Sequence, residues 1–478
     1  MKKMTRIIHA PLAAITLGWL AVQFAPNGFG VVPPPDGGYP NFTTAEGTNA
    51  LKSLTTGSGN TGIGWVSLFS AITASFNTGV GAGTLALNTA ASNTASGAGA
   101  LLLNTTGNFN TANGAFALLH NDAGSFNTAS GEAALFTNTI GPRNTAAGFQ
   151  ALFSNNTGAD NTATGYQALW SNVDGPRNTA FGAQALFANT GAGFQTAFGY
   201  QALMNATSGD NTAVGFQALQ MNTGHQENVA VGSNAARNTD APFNTAVGAF
   251  ALFDNTAGGG NVAIGDGALS HNTTGVENIA VGANAGFEVH TANNVICIGD
   301  GGADVDNSCY IGQIFTATSA GGTQVFINSS HKLGTMTSSS RFKEDIKPMD
   351  TTSDAIYELK PVTFHYKKEI DPAGISQCGL VAEDVEKVNP DLIVRDAEGK
   401  PYSVRYDQVN AMLLNEFLKE HRKVQDQGRK IKEQETTIAE LKKQVQTVVA
   451  HAKEQDIKIQ RVSDRIQISS SPVVVTDR

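Results

Sequence analysis

A unit of about seventeen residues recurs along half of this chain, and nothing else in the sequence restricts the fold as strongly. Its core is Asn-Thr-Ala-x-Gly, followed by Gln-Ala-Leu, an aromatic and an Asn/Gly-rich turn, as in Asn161-Thr-Ala-Thr-Gly-Tyr-Gln-Ala-Leu-Trp. Copies begin at Asn60, Asn77, Asn93, Asn110, Asn127, Asn144, Asn161, Asn178, Asn211, Asn228, Asn244, Asn261, Asn278 and Asn294, and Gln195 fills the one gap in register. The spacing is 16 or 17 throughout, giving fifteen copies and fourteen intervals. This period is too short for a helix-turn-helix repeat, and recurrent Gly, Asn and Thr disfavour helix. One coil of a parallel β-solenoid per repeat is the economical solution. Coils about 4.8 Å apart then build a rod of about 65–70 Å.

Alternation along each short strand directs Ala of Asn-Thr-Ala to one face, and Thr and x to the other. Leu152, Leu169, Leu186, Leu203 and Leu219, with Phe153, Trp170 and Phe187, supply larger apolar groups that stack like on like. Stacked asparagines can form amide ladders that satisfy turn backbone groups. Seventeen residues have few side chains with which to fill an interior, and both strand faces carry apolar groups. A second burial surface is therefore expected, and three such rolls about a common axis would provide it.

Charge divides the chain. The formal net charge is −9 and charged residues make up 15%, which argues against a general nucleic-acid surface. Between Lys52 and Lys332 the only basic residues are Arg143, Arg177 and Arg237, whereas 23 of the 31 Lys and Arg lie after Lys332. Two physically different regions are joined. Cys297, Cys309 and Cys378 have no metal-ligand spacing. Cys297 and Cys309 can stand on adjacent coils, which leaves one bridge or two small buried thiols. His120, His225, His271 and His290 fall at different repeat phases, so neither a metal site nor a cofactor is implied.

The N-terminus places Lys2, Lys3 and Arg6 ahead of an apolar stretch from Leu12 to Val22 and then Ala25-Pro26. This is the layout of a secretory signal peptide over 1–25, with a retained anchor as the alternative. A Pro-rich linker is read over 26–56, the repeat shaft over 57–300 and a neck or cap over 301–337. The expected location is secreted or cell-surface, with no membrane contact after signal removal.

Asn261-Val-Ala-Ile-Gly-Asp-Gly-Ala and Asn278-Ile-Ala-Val-Gly-Ala-Asn-Ala resemble the head repeats of trimeric autotransporter adhesins of the YadA type. That resemblance implies a left-handed parallel β-roll that associates as a trimer, with an adhesive role toward a surface glycan or other cell-surface ligand. The family ends in a membrane β-barrel, whereas a helical pattern stands at that place here, so self-secretion by the autotransporter route is not expected.

Further on stand Ser338-Ser-Ser-Arg-Phe-Lys-Glu-Asp-Ile-Lys-Pro, Ser353-Asp-Ala-Ile-Tyr-Glu-Leu-Lys-Pro-Val-Thr-Phe, Cys378-Gly-Leu-Val-Ala-Glu-Asp-Val and Tyr402-Ser-Val-Arg-Tyr-Asp-Gln-Val. This ordered series resembles the intramolecular chaperone auto-processing domain of phage tail spikes, tail fibres and endosialidases, here over 338–412. The resemblance implies a small α+β module that holds three chains together while an upstream trimer folds, then cuts itself off. A serine hydroxyl is a weak nucleophile until a base takes its proton, and lysine serves only when its pKa is lowered. By resemblance Ser338 is the nucleophile, Lys343 the general base and Arg341 an orienting or charge-stabilising group, with cleavage between Thr337 and Ser338. The five-residue offset to Lys343 selects Ser338 over Ser339 and Ser340. The family usually has Asp after the nucleophile and this chain has Ser339, so slow or absent cutting stays open, as does a plain solvated Ser-rich loop.

From Phe417 through Val424, Ile431, Ile438, Val445, Ala452, Ile459 and Ile466 apolar residues recur every seven positions. Leu441, Val448 and Val462, with Gln427, Gln434 and Gln455, stand three further on. This heptad predicts an α-helical coiled coil over 413–467, compatible with three strands, and 468–478 is read as a tail. The fold expected is thus mostly β: a trimeric β-roll of about 15 coils, a small α+β module and a coiled coil. The function expected is a homotrimeric fibre or adhesin whose only enzymatic step is a single autoproteolytic cut. A glycan-cleaving tailspike is the alternative, but Glu132, Asp160, Asp210 and Glu227 are too scattered for convergent carboxylates. An ice-binding solenoid is the other, with a thin array of one Thr per coil (Thr111, Thr128, Thr145, Thr162).

Overall fold

The computed structural model describes residues 40–469 apart from 316, 329 and 397. The proposed signal peptide, and nearly all of the tail after 468, lie outside the described residues. The chain divides into two compact units, up to Thr318 and from Ser319 onward.

The first unit is a parallel β-solenoid. Seventeen three-residue strands, β1 (Thr44–Glu46) to β17 (Cys309–Ile311), form one sheet in which each strand pairs with its neighbours in sequence. Register is kept by repeat position: Thr162 lies opposite Thr145 and Thr179, and Ala163 opposite Ala146 and Ala180. Sixteen steps of about 4.8 Å make a rod of about 77 Å, longer than the fifteen recognised repeats predict. The two extra strands carry Thr43 and Ser308 where asparagine opens most of the other units, so the repeat pattern does not reveal them. The solenoid therefore begins within the segment read as linker and ends within the segment read as neck.

Five side chains fill each coil. In the coil that opens at Asn161, Asn161, Ala163, Ala168, Leu169 and Asn172 have no solvent exposure. Ala beneath the strand keeps the coil thin, and Leu on the opposite wall fills it, each buried Leu contributing about 2–3 kcal/mol. The strand residues alternate as the sequence predicts, with Ala inside and its two neighbours outside. The aromatics do not share the interior with Leu. Phe136, Phe153, Trp170 and Phe187 form a separate stacked ladder, with centroids 5.0, 5.7 and 5.3 Å apart, joined by Leu102, Phe116 and Leu119 in a second cluster.

Asparagine amide ladders are present, and two run along the described coils. In the first, the Asn178 backbone N–H donates to Asn161 Oδ1 (2.8 Å), while Asn161 Nδ2 donates to the Gly175 carbonyl (2.9 Å). In the second, Asn172 Nδ2 donates to Asn155 Oδ1 (2.8 Å) and to the Gly175 carbonyl (3.0 Å). Both bind turn backbone that would otherwise be buried unpaired. Ala206 and Thr239 interrupt the second ladder, and between them both amide atoms of Asn222 are buried without a hydrogen-bond partner. Asn294 does not continue the first ladder. It is exposed at φ 56°, and Val295 takes the ladder place, its N–H bound to Asn278 Oδ1 (2.8 Å).

The cysteine pair is corrected as well. Cys309 lies opposite Ile296, whereas Cys297 lies opposite Tyr310. One residue of offset turns the two thiols to opposite faces of the sheet: Cys297 is buried, Cys309 is exposed, and all three cysteines are free. Burial pushes the Cys297 thiol up to about 11.

Among its described residues the second unit holds three two-stranded antiparallel sheets: β18 (Phe326–Ile327) with β19 (Leu333–Gly334), β20 (Val362–Phe364) with β21 (Gln377–Gly379), and β22 (Ile393–Arg395) with β23 (Pro401–Val404). A helix, α1 (Ala382–Val388), packs near β22 and β23, and a 64-residue helix, α2 (Tyr406–Ser469), follows. The core is small, with Val385, Leu392, Ile393, Val404, Val409 and Met412 as its buried apolar residues.

Candidate functional site

The segment 337–343 folds back on itself through a single 3-10 turn, Ser340–Phe342. Ser339 caps it: its Oγ accepts from the backbone N–H of Arg341 (3.4 Å) and from Arg341 Nε (3.2 Å), and its own N–H donates to Thr337 Oγ1 (3.4 Å). One turn plus the extended backbone of Lys343 brings the ends together, and Lys343 Nζ donates to Ser338 Oγ at 3.1 Å. Of the residues read from sequence, Ser338 and Lys343 thus meet. Arg341 holds the cap and its guanidinium lies over the Phe342 ring (5.4 Å) rather than reaching the pair. Ser339 supplies the cap that organises the turn. Asp, Ser and Asn serve similarly in this role.

Ser338 and Lys343 are both exposed. An amine acts as base only when burial or neighbouring cations disfavour its charged form, and among the described residues of the single chain nothing covers this lysine. Immediately upstream, Thr335 and Met336 line a cleft of about 1110 Å³, formed with Phe326, Lys332, Arg395 and Tyr406.

A second polar cluster ties the 3-10 helix Asp350–Glu358 to α2. Glu416, only 8% exposed, accepts from Lys419 Nζ (2.6 Å), the Ser353 hydroxyl and Tyr357 Oη (2.8 Å). Ser353 Oγ accepts from Asn415 Nδ2 (2.7 Å), and Lys419 also pairs with Asp354 (2.7 Å). The partners are 59 to 66 residues apart, so spacing carried no signal of the cluster. The Lys419 ammonium, then the Ser353 and Tyr357 hydroxyls, hold the Glu416 carboxyl down at about 2. A depressed carboxylate stabilises the fold above its unfolded pKa, about 4.3, and the contribution is lost as pH falls toward 2. Thermal melting of Glu416→Gln between pH 7 and pH 2 is expected to show a lower midpoint than wild type at pH 7 and a smaller acid-induced fall. Equal midpoints at pH 7 would refute the clamp.

Among the described residues no His/Cys/Asp/Glu cluster could hold a metal ion, and no helix is long and apolar enough to cross a membrane. His120 packs edge-on against Phe136 (5.1 Å) and burial lowers its pKa. No curated protein and no solved structure matches the chain. Residues 338–394, which run from Ser338 to β22, match the model of the family described as chaperone of endosialidase, and this assembly module joined to a parallel β-solenoid gives the chain a tail-fibre-like architecture.

Proposed function

We propose that the chain is the subunit of a secreted or surface-borne homotrimeric fibre, its solenoid a left-handed roll of the YadA-like kind acting as adhesive shaft. Its C-terminal module aligns three copies and then cuts between Thr337 and Ser338. The match of residues 338–394 to a chaperone family carries this reading. Exposed apolar surface supports it. At the third strand position Phe181, Phe198, Val231, Val247, Ile264, Val281 and Ile298 are 37 to 51% exposed in one row. On α2, Val424, Ile431, Ile438, Val445 and Ile459 are 51 to 64% exposed at heptad spacing. Surfaces of this kind mark association sites, and Ile and Val at one heptad position suit a coiled coil.

In the cut, Ser338 Oγ attacks the Thr337 carbonyl carbon as Lys343 takes the hydroxyl proton. The C–N bond breaks, the proton passes to the leaving amine, and water then hydrolyses the resulting ester. Lys343 must be neutral for this, and association of three modules is the event that would bury it. Sedimentation equilibrium tests the assembly. Uncut wild type is expected at three times the mass of one chain, and Ile431→Asp with Ile438→Asp at a lower mass. A single-chain mass for wild type would sink the reading.

A further inference from the structure

Two rows of side chains run side by side along the shaft, at the first and second residues after the strand glycine. In the first row Phe149 stacks on Tyr166 (centroids 5.7 Å, planes 8° apart) and Tyr200 on Phe216 (5.5 Å, 14°). Between these pairs the intervening coil carries Ala183, so one ring is missing from the row. In the second row Gln167 Nε2 donates to Gln150 Oε1 (3.0 Å), Gln201 Nε2 to Gln184 Oε1 (2.9 Å) and Gln217 Nε2 to Gln201 Oε1 (2.8 Å). This chain of amides is interrupted at the same coil: Gln184 does not donate to Gln167, which leaves one amide donor and one amide acceptor beside Ala183.

The coincidence of the two breaks defines a notch. Two coil steps separate the backbones at Tyr166 and Tyr200 by about 9.6 Å, which sets the width of the gap between the two ring faces. Each aromatic face takes a van der Waals partner at about 3.5–4 Å, so one six-membered ring fits between them over the Ala183 methyl. Both tyrosines are about half exposed, at 50% and 45%. Apolar walls with a few convergent polar groups are the ordinary make-up of a small-ligand site.

We infer that this notch binds a pyranose of β-gluco configuration. The inference rests on the reading of the shaft as adhesive and names its ligand class. A ring held between two aromatic faces must present C–H groups on both sides. The all-equatorial β-glucopyranose does so, with its hydroxyls at the rim, where Gln184 Nε2 can donate to one and Gln167 Oε1 can accept from another. An axial hydroxyl would abut a tyrosine face and lose its hydrogen bonds to water without replacement.

Saturation-transfer NMR on the full chain with methyl β-D-glucopyranoside tests the site, with methyl α-D-mannopyranoside as comparison. Transfer is expected to H1, H3 and H5 and also to H2 and H4, which lie on opposite faces of the sugar, and to be several-fold weaker to the mannoside. Ala183→Phe supplies the missing ring, as Phe149 and Phe216 do in sister coils, and should lower transfer by about tenfold or more with an unchanged melting midpoint. Tyr200→Ala should do the same by removing one wall. The site is refuted by no transfer to wild type, by transfer to one face alone, by equal transfer to the mannoside, or by equal transfer in Ala183→Phe. Sedimentation of the same samples keeps the two readings apart: a trimer without transfer removes only the notch, and a single chain with transfer removes the fibre and leaves the notch standing.

Discussion

Gly165→Ala is expected to break the shaft at the coil that carries it. Gly165 has φ +132°, a conformation that side chains oppose, and a Cβ there would lie 2.6 Å from the carbonyl carbon and oxygen of Gly182 in the next coil. Neither atom can yield, because each coil's backbone is fixed by ladders on both sides. Strain of this kind costs about 1–3 kcal/mol, and the backbone clash adds to it, so a total above about 4 kcal/mol places the change among the severe ones. Because each coil touches only its neighbours, the effect should appear as an early unfolding step of part of the shaft. Thr162→Val is the control. Val229 already occupies the equivalent place, and the melting midpoint should move little.

The second large effect concerns the cut. Intact-mass analysis of assembled wild type is expected to yield a fragment beginning at Ser338, and Ser338→Ala and Lys343→Ala are each expected to stay full length. The 3.1 Å contact of Lys343 Nζ with Ser338 Oγ makes the two losses equivalent. Ser339→Asp should accelerate processing, since a carboxylate would cap the Arg341 turn with charge-assisted bonds in place of the hydroxyl's 3.2 and 3.4 Å contacts. A fragment of unchanged abundance in Lys343→Ala would eliminate the dyad. A full-length wild type that is already trimeric would make the module a retained clamp.

The repeat made the solenoid legible because every coil obeys the same steric rule: Asn161, Ala163 and Leu169 each face a copy of themselves one coil away, so period and alternation suffice to place them. What the period hid lies at its edges and between its rows. Thr43 and Ser308 open coils without the marker residue, and Asn294 carries the marker one place out of register with Val295. The second asparagine ladder was missed because Asn172 sits in a turn whose residues read as mere loop chemistry, although its recurrence at Asn155 and Asn138 was available as a signal. In the C-terminal unit the Ser338–Lys343 pair was legible from a five-residue offset. The Glu416 clamp was not, since its members come together only through the packing of a 3-10 helix against α2.

The C-terminal module's role in aligning the chains is the claim on which the fibre reading depends. Expression of residues 40–337 alone, followed by sedimentation velocity, tests it against the same segment released from a full-length chain. The released shaft should sediment as a stable trimer, and the shaft made without the C-terminal module should give aggregates or unfolded chains. A compact, soluble monomer that melts cooperatively without ever meeting the C-terminal unit would contradict the account.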